Sequence, residues 1–257
     1  MQSVWAKGLV AVGAVMLGGA LAPACAHNDS TVFVAGLLIS PPRTSAGGDC
    51  AYTPGGALNL APSFDVSASN TYLGILDVRS QFLSRENSAQ VRTETSIGII
   101  KGAVITVTYP DGTQVAPSFT YLTQSVIKST TADPATGVVA VALLNQPAIT
   151  ELRKKLAKRK DRALAISTVK VFGDTLGGQS FESNEFPIPI TLCRGCLMDT
   201  TCAKKDLTTG IPDCDIIDAS QLSSCVVPCN PGERLTACQL CVDDNRAFCN
   251  PTNTSVD

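Results

Sequence analysis

Between residues 31 and 192 apolar and polar side chains alternate with a period near two, the signature of strands with one buried and one wet face. Tyr72, Leu76, Val78 and Phe82 fall on one face of a strand over 72–83, and Asp77, Arg79 and Gln81 on the other. Ala103, Ile105, Val107 and Tyr109 alternate with Val104, Thr106 and Thr108, and Pro110-Asp111-Gly112 then reads as a hairpin turn. Further β-branched and apolar runs cover 32–40, 58–66, 91–100, 115–127, 138–144 and 164–172. The last run, 186–192, alternates Phe186, Ile188, Ile190 and Leu192 with Pro187 and Pro189, after a turn over 173–178. Both prolines lack an N–H on the same lateral side, so that side must be a sheet edge. Short strands separated by turn residues predict a mainly β chain. The expected architecture is an antiparallel sandwich, Ig- or fibronectin-III-like in general shape.

One segment breaks the period. Residues 147–161 read as a crossover helix, with Asn145 or Gln146 as cap and Pro147 in the first turn. Ile149, Leu152 and Leu156 seat one face on the sheet, and Arg153, Lys154, Lys155, Lys158, Arg159 and Lys160 crowd the others, with Arg162 just beyond. Two readings stand. Either the cations form an anion-binding patch for lipopolysaccharide phosphates, acidic lipid or another polyanion, or they solvate an exposed face.

Beyond residue 192 the apolar runs stop. Nine of the eleven cysteines lie there: Cys193, Cys196, Cys202, Cys214, Cys225, Cys229, Cys238, Cys241 and Cys249. Too little apolar surface remains for an independent core, so residues 193–257 read as a small irregular domain held by disulfides. The paired spacings Cys193-Arg194-Gly195-Cys196 and Cys238-Gln239-Leu240-Cys241 also suit a four-thiolate zinc site or, for the first, a redox pair. Both readings yield to disulfides in an exported chain, and no metal or other cofactor is expected.

Export is read from the amino terminus. Lys7 and the free amine precede an uncharged stretch over 8–21, too short to span a bilayer, and small residues follow at Ala22, Ala24 and Ala26. Residues 1–24 are therefore expected to be a signal peptide. Leu21-Ala22-Pro23-Ala24-Cys25 resembles a bacterial lipobox, in which the cysteine is acylated and becomes the first mature residue. Ordinary cleavage after Ala26 is the alternative. An odd cysteine count favours acylation, because removing Cys25 leaves an even set able to pair. Nine tail cysteines cannot pair among themselves, so Cys50 is expected to bond to one of them, with Cys193 or Cys196 nearest in sequence to the sandwich. Residues 25–30 become a lipid-anchored tether. By resemblance to bacterial lipoproteins, Ala26 after the cysteine points to the outer membrane, the alternative being a secreted or periplasmic protein.

Composition removes several activities. The only His, His27, lies in the tether, so the body holds no imidazole for a Ser-His-Asp or Cys-His unit or for a histidine-ligated zinc. Leu197 and Val242 follow the two C-x-x-C pairs where covalent haem needs His. Charged residues make up 16% and the net charge is −2, which argues against nucleic-acid binding. Asp213, Asp215 and Asp218, with Asp243, Asp244 and Asn245, offer oxygens for calcium but fit no EF-hand. Glu94, Glu182 and Glu185 are the candidates for a glycosidase pair, with nothing in the sequence to bring two together.

The layout resembles a group of exported lipoproteins from myxobacteria and related bacteria whose function is unknown. The resemblance rests on Cys25, on Cys50-Ala51-Tyr52, on the strand region with Arg92-Thr93-Glu94-Thr95, and on 186–192 running into Cys193-Arg194-Gly195-Cys196. It implies location and architecture, not activity. The expected function is that of a non-catalytic cell-envelope lipoprotein, a surface binding or structural module joined to the membrane by its lipid. A carboxylate-dependent envelope hydrolase is the alternative.

Overall fold

Alternation and turn chemistry build two sheets in the computed structural model, which describes residues 31–41, 49–81, 97–128, 134–159, 161–200, 203–205, 212–217, 228–242 and 246–249. The first sheet has three antiparallel strands in the order β1 (Val32–Leu37), β3 (Tyr72–Ser80), β6 (Ala135–Leu144). The second runs β2 (Ser63–Asp65), β9 (Phe186–Cys193), β7 (Arg162–Thr175), β4 (Gly98–Thr108), β5 (Phe119–Ile127), with β8 (Ser180–Glu182) also on β7. All its pairings are antiparallel except β2 with β9. The expected mainly β antiparallel sandwich is what the structure shows. Val34, Leu76, Val78, Val139 and Val141 from one sheet meet Ala103, Ile105, Val169, Val171 and Ile190 from the other in one buried cluster.

The prolines of β9 behave as their chemistry requires. Pro187 and Pro189 pair with Thr168 and Ile166 of β7, while Thr191, on the same lateral side as the prolines, donates its N–H to Pro62 at 2.9 Å. β2 joins β9 only at Thr191–Cys193, beyond the prolines, so the edge over 187–189 stays unpaired among the described residues.

Several boundaries differ from the sequence reading. Residues 98–100 of the 91–100 run, whose first six residues lie outside the described ones, meet the 103–109 run in one strand, β4 (Gly98–Thr108), because a bulge at Lys101 absorbs the break in period. Asp77 was expected on a wet face and is fully buried. The 49–57 segment folds over the three-stranded sheet, and Gly55 N–H and the Arg79 guanidinium satisfy the carboxylate at 3.2 and 3.0 Å. The helix α1 spans Gln146–Lys155, not 147–161. Asn145 caps it by accepting the Ala148 N–H at 3.1 Å. It stops early because Leu156 leaves helical geometry while keeping its side chain in the core. α1 carries the chain from the three-stranded sheet to the larger one.

After β9 the chain forms only short pieces: β10 (Met198–Asp199), β11 (Ala203–Lys205), β12 (Pro212–Ile217), β13 (Thr236–Ala237), a 3-10 turn at Cys238–Leu240 and α2 (Arg246–Cys249). Ala203, Cys214, Cys238, Cys241 and Cys249 make a small second cluster, so cystine sulfur is much of the buried apolar material.

Candidate functional site where tail meets sandwich

The disulfides place the tail. Cys50 bonds to Cys229, Cys193 to Cys196, Cys214 to Cys238 and Cys241 to Cys249. The partner of Cys50 is thus Cys229, not Cys193 or Cys196. Those two close on each other because the chain turns back at once after β9, a turn that Asp65 holds from below. Cys25, Cys202 and Cys225 lie outside the described residues, as do the signal and tether, His27, Glu94, Lys160, Asp218, Asp243, Asp244 and Asn245.

Asp65 is completely buried at the end of β2, beneath the Cys193–Cys196 turn. Its Oδ1 accepts the N–H of Ser67 and of Gly195, both at 2.9 Å, and its Oδ2 accepts the N–H of Leu197 at 2.8 Å. Three donors compensate the desolvated carboxylate. Gly195 is required here. Its φ is +70°, and a Cβ would stand 2.4 Å from the carbonyl oxygen of Phe248. Between the cysteines, Arg194 donates to the carbonyls of Arg153 and Leu156 at the end of α1, at 3.3 and 3.1 Å. Its guanidinium also lies 3.4 Å from the centroid of the Phe248 ring. Burial draws the Arg194 pKa below the usual arginine value, and the Asp65 charge opposes that shift. One basic side chain thereby ties sandwich, helix and tail together.

Asp65, Cys193 and Cys196 bring their ligand atoms within 4.8 Å of one another. With the sulfurs joined and the carboxylate oxygens occupied by N–H donors, the group works as a structural knot.

A second carboxylate anchors the other side of the tail. Glu233 follows the turn Pro231-Gly232, near the Cys50–Cys229 bond. Its Oε2 accepts Ser40 Oγ at 2.5 Å and Asn230 Nδ2 at 2.7 Å, and its Oε1 accepts Asn59 Nδ2 at 2.7 Å. Asn230 also donates to the Leu73 carbonyl at 2.6 Å, while Asp65 N–H donates to Gly232 at 2.7 Å. The Tyr52 hydroxyl donates to Ser40 Oγ at 3.3 Å. Burial, first, and the Glu233 charge raise the Tyr52 pKa, opposed by the Ser40 hydrogen bond and by Arg234. Tyr72 is fully buried, stacked on Phe64 with centroids 4.7 Å apart, and burial lifts its pKa well above the usual value. Next to this cluster opens a cleft of about 240 Å³, walled by the 38–41 and 51–57 segments and by Arg234.

The remaining candidates are placed as follows. Arg153 does not face solvent with its neighbours. It turns inward and donates to the carbonyls of Val66 and Ser69, because the strand-to-turn backbone there needs a donor. Arg159 is half-buried, Lys154 pairs with Glu151 at 2.6 Å, and Lys155 lies 3.8 Å over the Tyr109 ring. Among the described residues, the exposed cations of the expected patch are thus Lys154, Lys155 and Lys158. Glu182 forms an ion pair with Lys170, and Glu185 is exposed. Asp213 and Asp215 lie on β12.

Sequence reading missed Asp65 and Glu233. The signal for the first is an Asp between Phe64 and Val66 in an otherwise apolar run, and for the second the turn residues Asn230-Pro231-Gly232 before an acid. No protein-family model, curated protein or solved structure matches the chain.

Proposed function

We propose that the protein is a non-catalytic lipoprotein of the cell envelope, a rigid surface module that binds or organises another envelope component. One observation carries the reading. Among the described residues, the carboxylates held within the fold are committed to building it: Asp65 to three N–H groups, Glu233 to a hydroxyl and two amides, Asp77 to Gly55 and Arg79. A carboxylate hydrolase needs a paired acid and base facing a substrate. The outer face of the larger sheet supports a binding role. Leu122 is 76% exposed there, diagonal to the exposed Val104 across the β4–β5 ladder. Apolar side chains displayed on a flat sheet suit recognition better than chemistry.

Anchoring is assigned to a lipid on Cys25, with the outer membrane as destination and Lys154, Lys155 and Lys158 available to anionic headgroups. Cys25→Ser is expected to move the protein from the membrane fraction to the soluble envelope fraction, with loss of metabolic labelling by a fatty acid. Retention of Cys25→Ser in the membrane fraction, without label in either form, would remove the lipoprotein reading.

A further inference from the structure

The cleft beside Glu233 has a lining that selects a ligand class. Its volume of about 240 Å³ exceeds the roughly 150 Å³ that accommodates a benzene-sized guest, so about six to eight heavy atoms fit inside and the rest of a longer ligand would lie at its mouth. The wall is mainly apolar, formed by Leu38, Ile39, Pro41, Ala51 and Ala57. A sugar would leave most of its hydroxyls unpaired against such a surface. Arg234 is the one charged residue in the lining, and among the described residues it forms no ion pair. Glu233 does not line the cleft, and its oxygens are taken by Ser40, Asn59 and Asn230. A carboxylate in the cleft therefore has Arg234 as its one charged neighbour in the lining, and a cation finds no acid there.

Tyr52 also lines the cleft, its hydroxyl donating to Ser40 Oγ. The Cys50–Cys229 bond joins the segment carrying Ala51 and Tyr52 to the segment carrying Arg234, so the two walls are fixed before any ligand arrives.

We propose that this cleft binds a short aliphatic carboxylate, its carboxylate on Arg234 and its chain along Leu38, Ile39 and Ala57. The inference rests on the binding-module reading and gives that module a ligand chemistry. Two sources share the chemistry: a free short-chain acid, and the carboxy terminus of a peptide ending in an aliphatic residue.

The test titrates the folded, oxidised protein with hexanoate, with N-acetyl-leucine and with hexanol, followed by amide chemical shifts. Saturable shifts at Ala51, Tyr52 and Gly56 are expected for at least one carboxylate, and weaker ones for hexanol. Arg234→Gln should weaken carboxylate binding about tenfold while leaving the rest of the spectrum unchanged. Tighter binding of hexanoate assigns the free acid, and tighter binding of acetyl-leucine a peptide terminus. No saturable shift from either acid up to about 10 mM overturns the proposal, as does equal binding by Arg234→Gln. Neither result touches the Cys25→Ser fractionation, so failure here is separable from failure of the lipoprotein reading.

Discussion

Replacing Asp65 by Asn should destabilise the protein by roughly 3 kcal/mol, and Asp65→Ala by about 5 kcal/mol. The carboxylate is fully buried and accepts three backbone N–H groups from Ser67, Gly195 and Leu197. An Asn carbonyl can serve Ser67 and Gly195 on one side. Its amide must then point its own hydrogens at the Leu197 N–H, donor against donor. Ala leaves all three donors without an acceptor, which is why its effect is larger. Urea unfolding measures the loss as a lower midpoint, and faster hydrogen exchange at Gly195 and Leu197 locates it at the Cys193–Cys196 turn. A change within about 0.5 kcal/mol for Asp65→Ala would show that the knot does not carry the tail.

The double substitution Cys50→Ser with Cys229→Ser is expected to act at least as strongly. The bond closes a loop with a sequence separation of 179 residues, and chain entropy alone gives about 5 kcal/mol for a loop of that size. The tail's own bonds, Cys214–Cys238 and Cys241–Cys249, survive the substitution. The tail should therefore stay locally folded while its attachment at Glu233, Ser40 and Asn59 loosens. Calorimetry should show the single transition of the parent protein split into two, the tail melting before the sandwich. A variant that melts in one transition at the parent temperature would mean that hydrogen bonds alone hold the joint.

These two effects separate what the sequence made legible from what it did not. Strand identity was legible because alternation is local: Ala103, Ile105 and Val107 point inward as their spacing requires. The edge at Pro187 and Pro189 was legible because a missing N–H has one structural consequence. The end of α1 was misjudged because the cations beyond Lys155 continue a helical composition, while the stop is set by burial of Leu156. The tie of Cys50 to the tail followed from parity, but its partner did not. Choosing Cys229 depends on a joint where Ser40, Asn59, Asn230 and Glu233 converge, and Ser40 and Glu233 lie 193 residues apart. Asp65 reaches Gly195 across 130 residues. Neither meeting leaves a periodic trace, so spacing alone does not single out the two carboxylates that anchor the tail. Asp77 was misread for the same reason, its cover coming from the 49–57 segment.

The central claim is that sandwich and tail are one unit, stapled at Cys50 and knotted at Asp65. Mass spectrometry of peptides from the non-reduced protein tests it most directly. The account predicts a cross-linked species joining the Cys50 peptide to the Cys229 peptide, and an internal bond between Cys193 and Cys196. A free thiol at Cys50, or Cys50 linked to Cys193 or Cys196, would contradict it.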